Sequence, residues 1–212
     1  MAFNFLMKGI DVSHWQGKID FNKVKAAGNQ FVIIKAGGSD AGLYKDVKFD
    51  TYYNDAKRAG LHVGAYYFAG KSFWVNGMGL SNAQHFLRLL EGKIFDMPVY
   101  LDIEMIPNGK RWEATNEAIT FCDWIEKHNG FVGIYASDIS GFEGMLQKTR
   151  LERFTWWVAR YGGKPTNQYA IHQWTSSGRV NGITGKVDRD NCIVNFPKII
   201  TKKGLNQFHG FY

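Results

Sequence analysis

Short apolar runs alternate with amphipathic segments through the first two-thirds of the chain, and this rhythm restricts the fold more than any other feature. "FVIIKAG" (31–37) precedes "DVKFDTYYNDAKRAG" (46–60), "LHVGAYYFAG" (61–70) precedes "LSNAQHFLRLLEG" (80–92), and "MPVYLDIE" (97–104) precedes "ATNEAITFCDWIEKHNG" (114–130). The opening run at 9–15 is followed by "DFNKVKAAG" (20–28), and "FVGIYAS" (131–137) supplies a fifth strand. Runs that are apolar at consecutive positions are apolar on both faces, which is the pattern of a parallel sheet buried under helices. Gly28, Gly60, Gly92 and Gly130 each follow a helical pattern and are expected to cap it.

After residue 150 the rhythm changes. "FTWWVARYG" (154–162), "QYAIHQWTSS" (168–177) and "GKVDRDNCIV" (185–194) read as strands separated by turn signals rather than helices. Five strands joined through helices and three close together make eight, the number that closes into a small barrel. An open doubly wound sheet is the alternative, but the first strand is not followed by a glycine-rich phosphate loop. No linker or repeat interrupts the chain, so one α/β domain is expected over residues 1–200, with 201–212 as a basic, aromatic tail. That tail reads as a linker stub, a contact between two copies of the chain, or a bare end.

The formal net charge is +7, from 26 Lys and Arg against 19 Asp and Glu, which favours an anionic partner. The basic residues are dispersed and no nucleic-acid-reading motif appears, so nucleic acid is not the expected partner. Cys122 and Cys192 lack the spacing of a metal site or a disulfide framework, and Cys122 reads as a buried thiol. No stretch approaches the roughly 20 apolar residues of a membrane span. The start, "MAFNFLMKGI", does not read as a secretory leader. No His/Cys/carboxylate spacing supports a metal, and no cofactor is expected.

The carboxylates carry the chemistry. In "YLDIE" (100–104), Asp102 and Glu104 are two apart and so share a strand face. At the C-terminal end of a parallel strand they stand where barrel enzymes place catalytic groups. Repulsion and burial together would keep one of them protonated near neutral pH, the arrangement glycoside hydrolysis requires. An isolated D-x-E is a weak signal, since two acids can simply end a strand in solvent. Asp11, inside the apolar "KGIDVSHWQG" run, strengthens it, because desolvating a lone carboxylate is costly unless the charge is used. Asp188, in "GKVDRDN", falls near the end of the last strand, which neighbours the first in a closed barrel.

Taken in order, "GIDVSHWQG", "FVIIKAG", "GAYYF", "YLDIE", "GIYAS", "WWVARY" and "HQWTSSGRVNGITGKVDRDN" resemble glycoside hydrolase family 25, the Chalaropsis-type lysozymes, over residues 8 to about 195. The resemblance implies a TIM-like (β/α)5β3 barrel that cleaves the β-1,4 bond between N-acetylmuramic acid and N-acetylglucosamine in peptidoglycan. It implies Glu104 as general acid, Asp102 as the group that orients or stabilises, and Asp11 and Asp188 as the rest of an acidic floor. A phage or prophage endolysin is the source it implies, held in the host cytoplasm and released to the wall through a holin-type pore, with a Gram-positive wall as target. Three positions depart from the family pattern: "KAGGSD" lacks the acid usual after the second strand, Tyr67 replaces a usual His, and Asp190 stands where Asn is usual.

Tyr66, Tyr135, Trp157 and Trp174 lie near strand ends where rings can stack on sugars, although core packing is an equal claim on any one of them. With Gln173 and Lys35 they form the expected substrate-binding set; a buried Lys35 would need an acid as partner. Trp156 and Trp157 are adjacent in a strand, so at most one can face a cleft. His14 and His172 read as structural. The competing functions are a catalytically silent barrel that binds wall glycan, and a chitinase-like hydrolase, whose longer acid motif "MPVYLDIE" lacks.

Overall fold

A computed structural model of the chain describes residues 6–75 and 77–210. Strands and helices alternate as β1 (Met7–Val12), α1 (Phe21–Ala26), β2 (Phe31–Gly38), the short β3 (Tyr44–Lys45), α2 (Phe49–Arg58), β4 (His62–Phe68), α3 (Met78–Leu90) and the short β5 (Lys93–Ile94). They continue as β6 (Val99–Asp102), α4 (Arg111–Lys127), β7 (Val132–Ser137), β8 (Thr155–Ala159), β9 (Ile171–Gly178), β10 (Val187–Cys192), α5 (Phe196–Lys203) and β11 (Gln207–Phe208).

Eight of these strands close a barrel in the order β1, β2, β4, β6, β7, β8, β9, β10, with β10 returning to β1. From β1 to β9 every neighbouring pair is parallel, and β10 runs antiparallel to both of its neighbours. The helix-covered strands are wholly apolar on the outer face. Val32, Ile34, Val63, Ala65, Leu101, Ile134 and Trp156 pack there against Phe86, Phe121, Cys122 and Ile125 of α3 and α4. The fifth crossover is a π-helical segment, Asp138–Met145, in place of an α-helix.

Capping follows local chemistry. Asp20 accepts the amide of Lys23 at 3.1 Å and starts α1, and Asn195 does the same for α5 through Lys198 at 3.2 Å. The left-handed residue after α4 is Asn129 (φ 65°), not the expected Gly130, which instead sits so close to Ile125 that a Cβ would lie 2.4 Å from its Cγ2.

The boundary expected at residue 200 falls inside α5, and the described part of the segment after it, up to residue 210, continues that helix and then a short strand outside the barrel sheet. Phe196 and Ile200 join Met7, Phe31, Met97 and Cys192 in the cluster at the N-terminal end of the barrel interior. β11 then pairs with β5, burying Phe208. Apolar residues four apart in a short amphipathic helix explain why this stretch docks rather than trails. Tyr212 and Phe211 lie outside the described residues.

Candidate active site

The C-terminal ends of the parallel strands form the open mouth of the barrel. β1 delivers Asp11, β2 Lys35, β4 Tyr66, β6 Asp102, β7 Tyr135 and β8 Trp157, all at positions that alternate with the outer apolar face. Because β10 is antiparallel, Asp188 reaches the same mouth from the start of its strand, opposite Asp11 in register. β6 ends at Asp102, and Glu104 lies just beyond it on an exposed bend. The four expected acids are therefore brought together: Asp11, Asp102, Glu104 and Asp188 line one cavity of about 380 Å³.

Their environment keeps them reluctant to ionise. Burial pushes Asp11 well above the usual carboxylate range, with repulsion from Asp190 and Asp188 adding to it and a hydrogen bond from Gln173 opposing it. Asp102 is also raised by burial, then by Glu104, with Lys35 pulling the other way. Asp188 rises to about 6 through burial and the charge of Glu104. Desolvation raises Glu104; Lys35 opposes this and Asp40 reinforces it. One Asp102 oxygen, Oδ1, is buried with no hydrogen-bond partner. Such a cluster can hold a proton near neutral pH beside ionised neighbours, which is the requirement for acid catalysis against a developing cation.

Gln173 organises the floor. Its Nε2 donates to Asp11 at 2.8 Å, while its Oε1 accepts the hydroxyls of Tyr135 at 2.9 Å and Tyr161 at 2.8 Å. Tyr66 lines the cavity beside it. Lys35 is buried at the mouth, but among the described residues it forms no ion pair. Its ammonium lies 4.4 Å from the Phe68 ring centroid and acts on Asp102 and Glu104 through space. The direct acid partner expected for it is absent among the described residues, although Asp40, Asp102 and Glu104 line the same cavity.

Two of the rings expected at the cleft stand differently from one another. Trp174 follows Gln173 in β9; since Gln173 points inward, strand alternation sends Trp174 to the outer surface, where it meets the guanidinium of Arg189. Trp157 points inward, 1% exposed and packed against Tyr135, Tyr100 and Tyr66, and lines the floor of the acid cavity with Tyr66 and Tyr135. Its indole donates to Asp190 at 2.8 Å. Trp156 stacks outside the barrel on Phe142, 4.3 Å away.

Other residues at the site were not singled out from sequence. Trp15, 80% exposed, stands with Gln16 at the rim of the acid cavity. Asp40 lines the same cavity and accepts a hydrogen bond from Tyr44 at 3.1 Å, so a carboxylate does return near the place where the second-strand acid is missing. Tyr161, Arg160 and Ser137 line an adjoining space of about 640 Å³ that also opens on Glu104. Its wall is fixed by Asp138, which accepts the amides of Thr166 at 2.8 Å and Asn167 at 3.1 Å. A third space, of about 400 Å³, runs from Glu104 along Met105 to Met145. Glu104 thus stands at a junction in an extended cleft.

His14 pairs with Asp46 at 2.7 Å and His172 with the Arg160 carbonyl at 2.8 Å, both outside the acid cluster. Among the described residues no group of His, Cys, Asp and Glu is arranged to hold a metal ion, and no helix is long and apolar enough to cross a membrane. Both cysteines are buried free thiols.

Residues 10–183 match the glycosyl hydrolases family 25. Lysozyme M1 of Streptomyces globisporus is 32% identical over 211 residues, a match covering 87% of this chain and 67% of the relative. The autolytic lysozyme of Clostridium acetobutylicum is 30% identical over 187 residues, covering 87% of this chain but 55% of the relative, so the chain spans little more than half of that protein. The crystal structure of the CTP1L endolysin superposes with a TM-score of 0.81 at 26% identity, over 93% of this chain and 70% of that one. A match from the first strand through most of the barrel, with the acids at its mouth, shows that the chain belongs to glycosyl hydrolases family 25.

Proposed function

We propose that the protein is a lysozyme, an N-acetylmuramidase that hydrolyses the β-1,4 bond between N-acetylmuramic acid and N-acetylglucosamine in bacterial peptidoglycan. The observation that carries this reading is the position of Glu104, at the junction of an extended cleft and beside buried aspartates. A cleft open on several sides admits a polymer and suits cleavage within the chain.

In this reading Glu104 donates its proton to the glycosidic oxygen as the bond from the sugar C1 to that oxygen breaks. Asp102 supports the positive charge that develops at C1, directly or through the substrate's acetamido group. Water then adds to C1 and returns a proton to the Glu104 carboxylate, so the enzyme is regenerated. Asp11 and Asp188 keep the floor negative, and Lys35, Tyr66, Tyr135 and Gln173 bind the sugar. The names of the Streptomyces and Clostridium relatives support the activity, and the likeness to CTP1L supports an endolysin origin.

The experiment is release of reducing ends from purified peptidoglycan by wild type and Glu104→Gln, with mass spectrometry of the newly exposed sugar. New muramic acid ends that vanish in the variant support the reading. No release from any wall tested points to a silent glycan-binding barrel instead. The charge of +7 supports a wall rich in anionic polymers, as in Gram-positive cells. Added salt should then depress lysis of whole cells more than cleavage of soluble fragments, and equal sensitivity would remove that part of the proposal.

A further inference from the structure

Asp190 has no role in the mechanism above, yet it is buried at the floor of the barrel, 1% exposed, paired in register with Gly9 of β1 and Gln173 of β9. Its Oδ1 accepts the Trp157 indole hydrogen at 2.8 Å. Its Oδ2 is buried with no donor from any other residue, and Asp11 stands diagonally across from it, two residues beyond Gly9 on the same inward face of β1, so that the two carboxyls act on each other directly. Asp11 is held from its other side by Gln173 Nε2 at 2.8 Å.

Two ionised carboxylates buried against each other would repel and leave the Asp190 oxygen uncompensated. One proton between them converts the contact into a charge-assisted O–H···O hydrogen bond. An asparagine here would offer an oxygen to Trp157 and an N–H to Asp11. A carboxyl with a proton is its nearest chemical equivalent.

We propose that Asp190 is a positioning residue for Asp11, the two carboxyls holding a single proton between them that fixes Asp11 at the mouth. The catalytic consequence rests on the muramidase reading. The other groups facing the pair are Asp188, Arg189 and Cys192 of β10, Tyr66 of β4, Tyr100 of β6, Tyr135 of β7 and Tyr161 after β8. Burial pushes all four tyrosines upward, so they stay neutral in the working range, while Asp188 favours retention of the proton and Arg189 opposes it. Burial pushes Asp190 up to about 7. The contact between the two carboxyls lowers Asp190 and raises Asp11, so Asp190 ionises first and the remaining proton stays on Asp11. Once that proton is lost the pair carries two charges, Asp11 loses its alignment, and activity falls by a proton additional to the one held by Glu104.

The test combines three variants with a spectroscopic readout. Replacement Asp190→Leu removes the hydrogen bond and is expected to lower kcat/KM at every pH by about tenfold or more. Asp190→Asn restores the donor, rescues activity at pH 5, and moves the alkaline limb of the kcat/KM profile upward by about one pH unit while making it shallower by one proton. Glu104→Gln serves as the inactive control. In parallel, carbon NMR of the Asp11 and Asp190 carboxyls should show Asp190 ionising first and a single proton retained on the pair above the range in which free carboxyls have ionised.

Superimposable pH profiles for wild type and Asp190→Asn, a folded but inactive Asp190→Asn, or two ionised carboxyls at pH 5 would each overturn the proposal. Failure of the wild type to cleave peptidoglycan would fell the muramidase reading alone. The NMR titration still decides whether the proton is shared.

Discussion

Asn206 at the closed end of this barrel and the aspartates at its mouth are buried on different terms. At the closed end Asn206 is fully buried and fully used: its Oδ1 accepts the Phe131 amide at 2.6 Å, its Nδ2 donates to the Met97 carbonyl at 3.0 Å, and its own amide donates to Asn129 at 2.9 Å. At the open end Asp102 Oδ1 and Asp190 Oδ2 are buried without donors from other residues, and Asp11, Asp102, Asp188 and Asp190 are all pushed toward the protonated state. Satisfied polar burial stabilises a fold, whereas unsatisfied burial costs it about 1–3 kcal/mol per group. Asn29 Oδ1 and Tyr100 Oη are also buried without partners, but they are single neutral groups, whereas the mouth gathers several acids and accepts the instability they bring.

Truncating the closed end gives the largest expected effect. Phe196 fills the barrel base against Phe131, with ring centroids 5.6 Å apart. Phe196→Ala should cost about 3–5 kcal/mol of stability by denaturant unfolding. Activity per folded molecule should hold, because the mouth does not touch this ring. A loss of kcat/KM as large as the loss of stability would break the division of labour.

Asp102→Asn is the reciprocal variant. On the proposed mechanism, removing the charge opposite C1 should lower kcat on the order of 10²–10³-fold. The same change relieves a buried acid that burial and Glu104 already hold in an unfavourable state, so its melting temperature should rise at pH 7. If Asp102→Asn melts lower than wild type, the mouth is no less satisfied than the base.

The pH dependence tests the same point with a smaller effect. Asp188 has a folded-state pKa of about 6 against an unfolded value of 3.8. The folded chain therefore binds more protons than the unfolded chain within that window, and stability falls as pH rises through it. His85 and His172 act the other way, since burial lowers their pKa values and they destabilise the fold as they are forced to charge in acid. Comparing wild type with Asp188→Asn cancels the histidines. The variant should gain melting temperature relative to wild type from about pH 4 to pH 6 and then run parallel to it. A difference independent of pH would mean that Asp188 is not strained.

Much of the mouth was legible because strand parity and strand ends are local properties. Asp11 and Asp102 fall in apolar runs whose neighbours must face the helices, so their direction follows from the alternation of side chains. The same rule, applied to Gln173 and Trp174 as neighbours, would have kept them from sharing the cleft. Asp40 was hidden for another reason. It follows the end of β2, and its return to the acid cavity depends on a turn that packs tightly at Gly70, where a Cβ would lie 2.5 Å from the Asp40 backbone. The docking of α5 was equally obscure, since Phe196, Ile199 and Ile200 in a basic octamer make only a short periodic signal, and Met7, Phe31 and Met97, with which the helix shares a buried cluster, are distant in sequence. Long-range packing, not local pattern, decides both.

The smallest predicted effect examines how the mouth is held in shape. Gln173 Oε1 accepts from two tyrosines, one buried and one half-exposed, at 2.9 and 2.8 Å. Losing either hydroxyl leaves the other in place, and at Tyr161, 52% exposed, water can replace the lost donor. Tyr161→Phe should therefore cost kcat/KM about twofold, and Tyr135→Phe about fivefold, within the net worth of one neutral hydrogen bond. The double variant strips both protein donors from Gln173, frees its amide to turn, and so releases its hold on Asp11. Its loss should exceed the product of the two single losses, a coupling that a double-mutant cycle reads directly. Strict additivity would show that Gln173 is held by its strand alone, and the contrast between a mouth organised by hydrogen bonds and a base organised by packing would then have to be redrawn.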